Sequence, residues 1–236
     1  MWTPPFNLEL SEIEQFCLMS LIPTEPNNER IGDIGYHQSK IEFTLEFAPL
    51  LSRVEAWALS MYLGPTYYYR NINLSLANVL PAREDRDKFL LIAKAATIAL
   101  VKIPAITLTE LQTLPQPTST KYQYLKRYKK LSVERINKYQ PGRKITETTF
   151  TSTTYWQDVV GLMQRYSEQA TAVFHINPNS ISQGRYVDPI KRRNREGEIL
   201  FPPNIRFQVS KIESQEYQVT ESGQTRELMV IELNEL

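Results

Sequence analysis

Near Ser119 the periodicity of the chain changes, and this restricts its architecture more than any other feature. Before that point apolar residues recur every three or four positions, in stretches that end at Pro23, Gly64-Pro65, Pro81 and Pro104, as separate helices do. After it they alternate, with β-branched residues between turn formers, as strands do. Helices first and strands later predict an α+β fold, with helices packed on a mostly antiparallel sheet.

Within the helical half, Ser11-Glu12-Ile13-Glu14 is a capping box: the hydroxyl accepts from an amide three residues on and the glutamate reaches back. Ile13, Phe16, Cys17 and Leu21 follow at helical spacing, and Cys17 is expected in the core. Further helices are expected over about 47–63, with Leu50, Leu51, Val54, Trp57, Ala58 and Met61 on one side, and over about 66–80 and 83–102. Strands are expected over about 122–128, 144–153, 172–176, 185–187, 199–201 and 205–212. A hairpin through Ser222-Gly223 leads to a last strand at 228–233, and short helices interrupt the pattern near 132–139 and 157–169. No internal repeat or low-complexity linker divides the chain, so a helical segment over 1–45 and one domain over 46–236 is the simplest organisation.

With 236 residues, 42% of them hydrophobic, the chain can bury a sizeable core. Cys17 is the only cysteine, which excludes an internal disulfide and any multi-cysteine zinc site and suits a reducing compartment. His37 and His175 are too isolated to predict a metal centre or a triad, and a structural role is expected for both. The start, Met1-Trp2-Thr3-Pro4-Pro5, lacks a basic segment leading into an apolar run, and no stretch of 18 apolar residues occurs. No membrane association is expected, and the expected location is the cytoplasm, or outside it by secretion or injection without a classical signal peptide.

Charge is balanced overall, at +1, but unevenly placed. Lys121, Lys126, Arg127, Lys129, Lys130, Arg135, Lys138, Arg143 and Lys144 fall in a stretch whose one acid is Glu134. Such a run is either a solvated basic face or a surface for phosphate or an acidic partner.

Three segments carry the chemical information. Lys126-Arg127-Tyr128 precedes Leu131-Ser132 and Tyr139-Gln140-Pro141-Gly142. Phe150-Thr151-Ser152-Thr153-Thr154 follows, and then Glu196-Gly197-Glu198-Ile199-Leu200-Phe201-Pro202-Pro203, with Ile205-Arg206-Phe207-Gln208-Val209 behind it. Upstream lie Ala58-Leu59 with Tyr62, then Tyr69, Ile72, Asn73 and Leu76. In this order and spacing, over about 55–233, they resemble the Arg-Ser-Glu class of mono-ADP-ribosyltransferases, which includes bacterial toxins and effectors. The sequence departs from that class at Lys126 and Tyr128, where an aromatic residue and a glycine usually flank the arginine, and at Thr154, where a serine is usual.

The resemblance implies a two-sheet β core, NAD as substrate, and roles for individual residues. Glu198 would stand beside the ribose, where a carboxylate stabilises oxocarbenium-like charge that grows as nicotinamide leaves. Glu196, two positions earlier on an extended segment, would project to the same side and act as general base towards an incoming guanidinium. Arg127 would pair with the NAD phosphates, and Ser152 would hold Glu198 in position. Thr153, Tyr62, Tyr69 and Asn73 would border the dinucleotide, and Tyr155 or Trp156 would stack on nicotinamide. Each residue alone has a plainer reading as loop edge, strand hydroxyl, basic run or helix packing.

Before Glu196 the chain reads Asp188-Pro189-Ile190-Lys191-Arg192-Arg193-Asn194-Arg195, where the family carries a loop that meets the acceptor. The aromatic residue common there is absent, with Tyr186 just outside as a substitute. Four bases would repel an isolated arginine but attract an acidic protein patch around one, or a nucleic-acid backbone. The expected function is therefore transfer of ADP-ribose from NAD to a protein arginine. Transfer to nucleic acid, hydrolysis of NAD, and a non-catalytic NAD- or nucleic-acid-binding module are the alternatives.

Overall fold

The computed structural model describes residues 2–22, 34–64, 68–80, 83–117, 121–157, 170–191, 196–218 and 225–236. Among the described residues six helices precede the first strand: α1 (Glu12–Leu21), α2 (Ile34–Phe47), α3 (Arg53–Leu63), α4 (Tyr68–Leu76), α5 (Arg83–Lys102) and α6 (Leu108–Thr113). Strands β1 (Leu125–Lys129), β2 (Lys144–Glu147), β3 (Thr151–Thr154), β4 (Ala172–Asn177), β5 (Arg185–Tyr186), β6 (Glu198–Phe201), β7 (Ile205–Gln218) and β8 (Thr225–Glu235) follow, with α7 (Val133–Ile136) after β1.

Capping residues explain most helix starts. Ser11, Ser52 and Thr107 each accept the amide of a glutamate three residues on, and that glutamate accepts the cap amide in return. The Ser52 box places the start of α3 at Arg53, so the helix expected from residue 47 begins six residues later, after a turn that follows α2. Helix α2 has no counterpart in the expected pattern because its buried stripe is His37, Ile41 and Thr44, only one of them aliphatic. Helix α1 turns the other way from its apparent stripe. Leu18 is 0% exposed, whereas Ile13 and Phe16 are each 76% exposed and Cys17 is exposed, because only one side of the helix meets α3 and α5.

All the helices from α1 to α5 bury residues in one core with Trp57, Ile72 and Ile92 at its centre, and Phe150, Val187 and Leu200 enter it from the strand half. Residue 45, the expected boundary, lies inside α2, and Leu18 and Ile41 on either side of α2's start share this core. A second core, with Leu125, Tyr155, Phe174, Phe201, Phe207 and Ile231, fills the strand half.

The strands run in the order β2-β7-β8-β4-β1-β3-β6-β5, with β4 and β8 parallel and the other pairs antiparallel. Where two sheets were expected, one ladder of eight strands forms. Its two parts meet at a narrow seam: β1 matches β4 along five residues but matches β3 only at Lys126 and Thr154. The strand expected over 144–153 is likewise split, since β2 pairs with β7 whereas β3 pairs with β6, and Phe150 between them is drawn into the helical core. The helix expected over 157–169 and the turn at Ser222-Gly223 lie outside the described residues. Among the described residues no helix is long and apolar enough to cross a membrane.

Replacing Leu18 by Ala should destabilise the protein by about 2–5 kcal/mol, as for a buried leucine, and Phe16→Ala by about 0.5 kcal/mol or less. Urea unfolding of the two variants checks the direction in which α1 faces; equal losses would refute it.

Candidate active site

The site begins with the pairing of β3 and β6. Thr154 lies opposite Glu198 and Ser152 opposite Leu200, so these four share one face, the one that meets the helical core through Leu200 and Phe150. Thr153 and Ile199 take the other face. On the helix side the Ser152 Oγ donates to Glu198 Oε1 at 2.5 Å, and Lys191 Nζ forms an ion pair with Glu198 Oε2 at 2.8 Å. The same ammonium lies 3.1 Å from Glu196 Oε2. Burial alone would push Lys191 down, but Glu198 and then Glu196 outweigh it and hold the ammonium above the ordinary lysine range.

Glu196 and Glu198 do not converge by lying on an extended segment. Gly197 between them has φ +63°, in the left-handed region, and β6 begins only at Glu198. Asp188 holds this turn: its Oδ1 accepts the amides of Glu196 at 2.8 Å and Glu198 at 3.3 Å. Thr154 completes the brace, donating its hydroxyl to the Glu196 carbonyl while accepting the Trp156 amide at 3.1 Å.

Helices α3 and α4 wall the opposite side. The Tyr62 ring packs 4.5 Å from that of Phe150, and its hydroxyl accepts from Asn73 Nδ2 at 3.3 Å. Burial pushes the Tyr62 phenol up; the charge of Glu198 adds to this and those of Arg127 and Lys191 oppose it, so all three charges lie within electrostatic reach of one hydroxyl. Arg127 projects from β1 and its Nη1 is buried without a hydrogen-bond partner among the described residues, as is Asn73 Oδ1. Beside Arg127, Lys129 Nζ pairs with Glu147 at 2.7 Å. Burial and then Arg127 push Lys129 down to about 8. Burial would raise Glu147, but Lys129 and Arg127 hold its carboxyl below the usual range.

Several expected positions lie elsewhere. Thr153 is buried on the other face and donates to the Ile199 carbonyl at 2.7 Å, so its hydroxyl braces the strand pair. Tyr155 is enclosed in the second core, with its hydroxyl donating to the Pro115 carbonyl at 3.2 Å, and has no face left for stacking on a ligand. Tyr186 packs edge-on against that ring. Trp156 is half-buried beside Gly197, with Nε1 unpartnered among the described residues. Tyr69 is 49% exposed on α4. Lys191 faces inward to the carboxylates rather than outward to a partner, and Arg192, Arg193 and Arg195 lie outside the described residues. His175 is structural packing: it stacks on Tyr124, meets the Tyr217 hydroxyl at 2.8 Å, and is pushed down to about 4 chiefly by burial.

The roles of Asp188, Lys191, Lys129 and Glu147 had no distinct sequence signal. Asp188-Pro189 marks a turn, but nothing in the residue order indicates that its carboxylate reaches eight and ten positions forward.

A family model described as ADP-ribosyltransferase exoenzyme matches residues 38–234. The chain belongs to the ADP-ribosyltransferase exoenzyme family. Solved structures with the same fold include the ADP-ribosyltransferase Vis, a toxin of Vibrio splendidus, in complex with agmatine (15% identity, 91% of this chain and 89% of that one, TM-score 0.57). They also include the type III effector XopAI of Xanthomonas axonopodis pv. citri (16% identity, 97% and 85%, TM-score 0.64). The toxin component BECa of C. perfringens, solved with NADH, matches at 19% identity over 86% of this chain and 48% of its own, with TM-score 0.55. No curated protein matches in sequence.

In this ADP-ribosyltransferase the turn at Gly197 admits no side chain. A Cβ there would lie 2.5 Å from Trp156 Cδ1, and φ +63° is strained for any L-residue. Gly197→Ala should lower stability by about 1–3 kcal/mol. Thermal unfolding measures this, and an unchanged midpoint would show that the ring yields freely.

Proposed function

We propose that this enzyme cleaves the bond between nicotinamide and ribose in NAD and transfers the ADP-ribose to the guanidinium of a protein arginine. The observation that carries the reading is the convergence of Glu198, hydrogen-bonded to Ser152, and Glu196 on a single ammonium, on the face walled by Tyr62 and Asn73. Glu198 stabilises positive charge on the ribose as nicotinamide departs, and Ser152 fixes its carboxylate. Glu196, at the more open end, takes the guanidinium proton as the acceptor nitrogen attacks.

A dinucleotide suits the remaining groups. Arg127 has a buried donor without a partner among the described residues, the kind of group a diphosphate oxygen satisfies, and the planar guanidinium favours such pairing. Asn73 Oδ1 is a buried acceptor open to a ribose hydroxyl or amide. Trp156 Nε1 is another open donor among the described residues near the turn, and with Tyr155 enclosed the indole is the one of the two aromatic groups that can meet nicotinamide. The BECa structure with NADH supports the dinucleotide part of this reading. The Vis structure with agmatine, an alkyl guanidine, supports the acceptor part. The run of arginines before Glu196 favours an arginine presented in an acidic surface.

With NAD and agmatine as substrates, Glu198→Gln should reduce nicotinamide release by about 10³-fold. Glu196→Gln should reduce transfer to agmatine by about 10²–10⁴-fold while slow nicotinamide release to water persists. Chromatography of nicotinamide and of ADP-ribosyl-agmatine reads both at once. Equal loss of both products in Glu196→Gln would remove the general-base role, and label from NAD appearing on RNA but not on protein in a lysate would replace the acceptor.

A further inference from the structure

Lys191 occupies the position between Glu196 and Glu198 that the proposed reaction needs for its acceptor. Its ammonium is 3.1 Å from one carboxylate and 2.8 Å from the other, and its side chain is 13% exposed. A guanidinium cannot approach Glu196 as its base while another cation holds the same oxygen, because like charges a few ångströms apart repel strongly where water is scarce.

The turn that carries both glutamates, and the Glu198 carboxylate, have holders other than Lys191. Asp188 holds the amides of both residues, Ser152 holds Oε1 of Glu198, and Thr154 holds the carbonyl of Glu196. Lys191 stands just after the 3-10 turn Asp188–Ile190, stiffened by Pro189, and its ammonium is carried on a flexible four-carbon stem. The ammonium can therefore leave while the turn and the Glu198 carboxylate remain set.

We infer that Lys191 is a built-in stand-in for the acceptor guanidinium: it bridges the Glu196 and Glu198 carboxylates in the free enzyme and is displaced when an arginine docks, which makes it a specificity-determining residue. The inference rests on the arginine-acceptor reading for its meaning, though not for its test. A small guanidine must displace the ammonium unaided, whereas an arginine within a docked protein surface has further contacts to offset the exchange. The site is thereby biased towards acceptors presented by a macromolecule.

Calorimetric titration of agmatine into the full chain, as wild type, Lys191→Met and Lys191→Arg, tests the exchange. Lys191→Met keeps the apolar stem and removes the charge, so agmatine should bind about tenfold more tightly or better. Lys191→Arg, which restores a cation, should bind no more tightly than wild type. Unchanged or weaker binding to Lys191→Met overturns the inference. A second measurement needs no variant: saturating agmatine should make Lys191 of the wild-type protein several-fold more reactive towards an amine-acylating reagent, read by mass spectrometry, and unchanged reactivity overturns the displacement. Tighter binding to Lys191→Met without any ADP-ribosyl-agmatine would leave the exchange standing and defeat the arginine-acceptor reading. Transfer to agmatine with unchanged affinity would do the reverse.

Discussion

One oxygen of Asp188 accepts two amides across a left-handed glycine, and the geometry of the site depends on it. Without that acceptor, the turn at Gly197 would leave both N–H groups without this partner, and buried unpaired amides are costly. With it, Glu196 and Glu198 leave the turn in fixed directions, and β6 starts in register with β3 so that Ser152 meets Glu198. Trp156 then closes over the glycine so tightly that a methyl group has no room. The cleft is thus set by side chains, above all Asp188 and Thr154, that hold the backbone of the turn.

Charge in the cleft is arranged in two groups of opposite net sign. Lys191 faces Glu196 and Glu198 at one end, and Lys129 with Arg127 faces Glu147 at the other. Burial raises the energy of every unpaired charge in such a place, so each charge there is stabilised by an opposite one close by. The balance is not equally tight in both. Lys129 is shared between burial and repulsion from Arg127, which depress it, and one carboxylate, which supports it. Arg127 consequently keeps a donor that no described residue satisfies, and an anion arriving there improves the balance of that whole group. At the other end one ammonium faces two carboxylates, which leaves net negative charge for an arriving cation. The two ends of the cleft thus suit the proposed dinucleotide at one and the proposed guanidinium at the other.

How much of this was legible in the residue order depended on whether a feature was local. Helix α5 was legible to the residue because its Ala and Leu content and Pro104 all lie within the segment. The Ser-Thr-Thr and Glu-x-Glu runs were legible because chemistry is concentrated there in a few consecutive residues. The inward side of α1 was not, since Ile13 and Phe16 form a regular stripe that tertiary packing leaves outside in favour of Leu18. Helix α2 was hidden by His37 and Thr44 in its buried stripe. The break between β2 and β3 depended on Phe150 finding the helical core, a contact made with distant residues. The enclosure of Tyr155 could have been foreseen: carried past the end of β3, strand alternation sets it on the side of Thr153, opposite Ser152.

Structural neighbours that share 15–19% of their residues with this chain and still match most of it show which constraints the fold imposes. A core needs apolar volume in the right layers, which many residue combinations supply. The seam where β1 touches β3 at a single pair is different in kind, because there the two parts of the ladder turn relative to each other with little hydrogen bonding to hold them. At that seam Lys126 is buried and its ammonium donates to the Gln157 carbonyl, while the side chain of Gln157 donates back to the carbonyls of Tyr124 and Tyr155. Polar contacts thus replace the missing ladder. They also set the position of Arg127, the next residue on β1, relative to the β3 and β6 face that carries Ser152 and Glu198. The residue that departs from the aromatic usual before the arginine is in this chain the one that joins the two halves of the cleft.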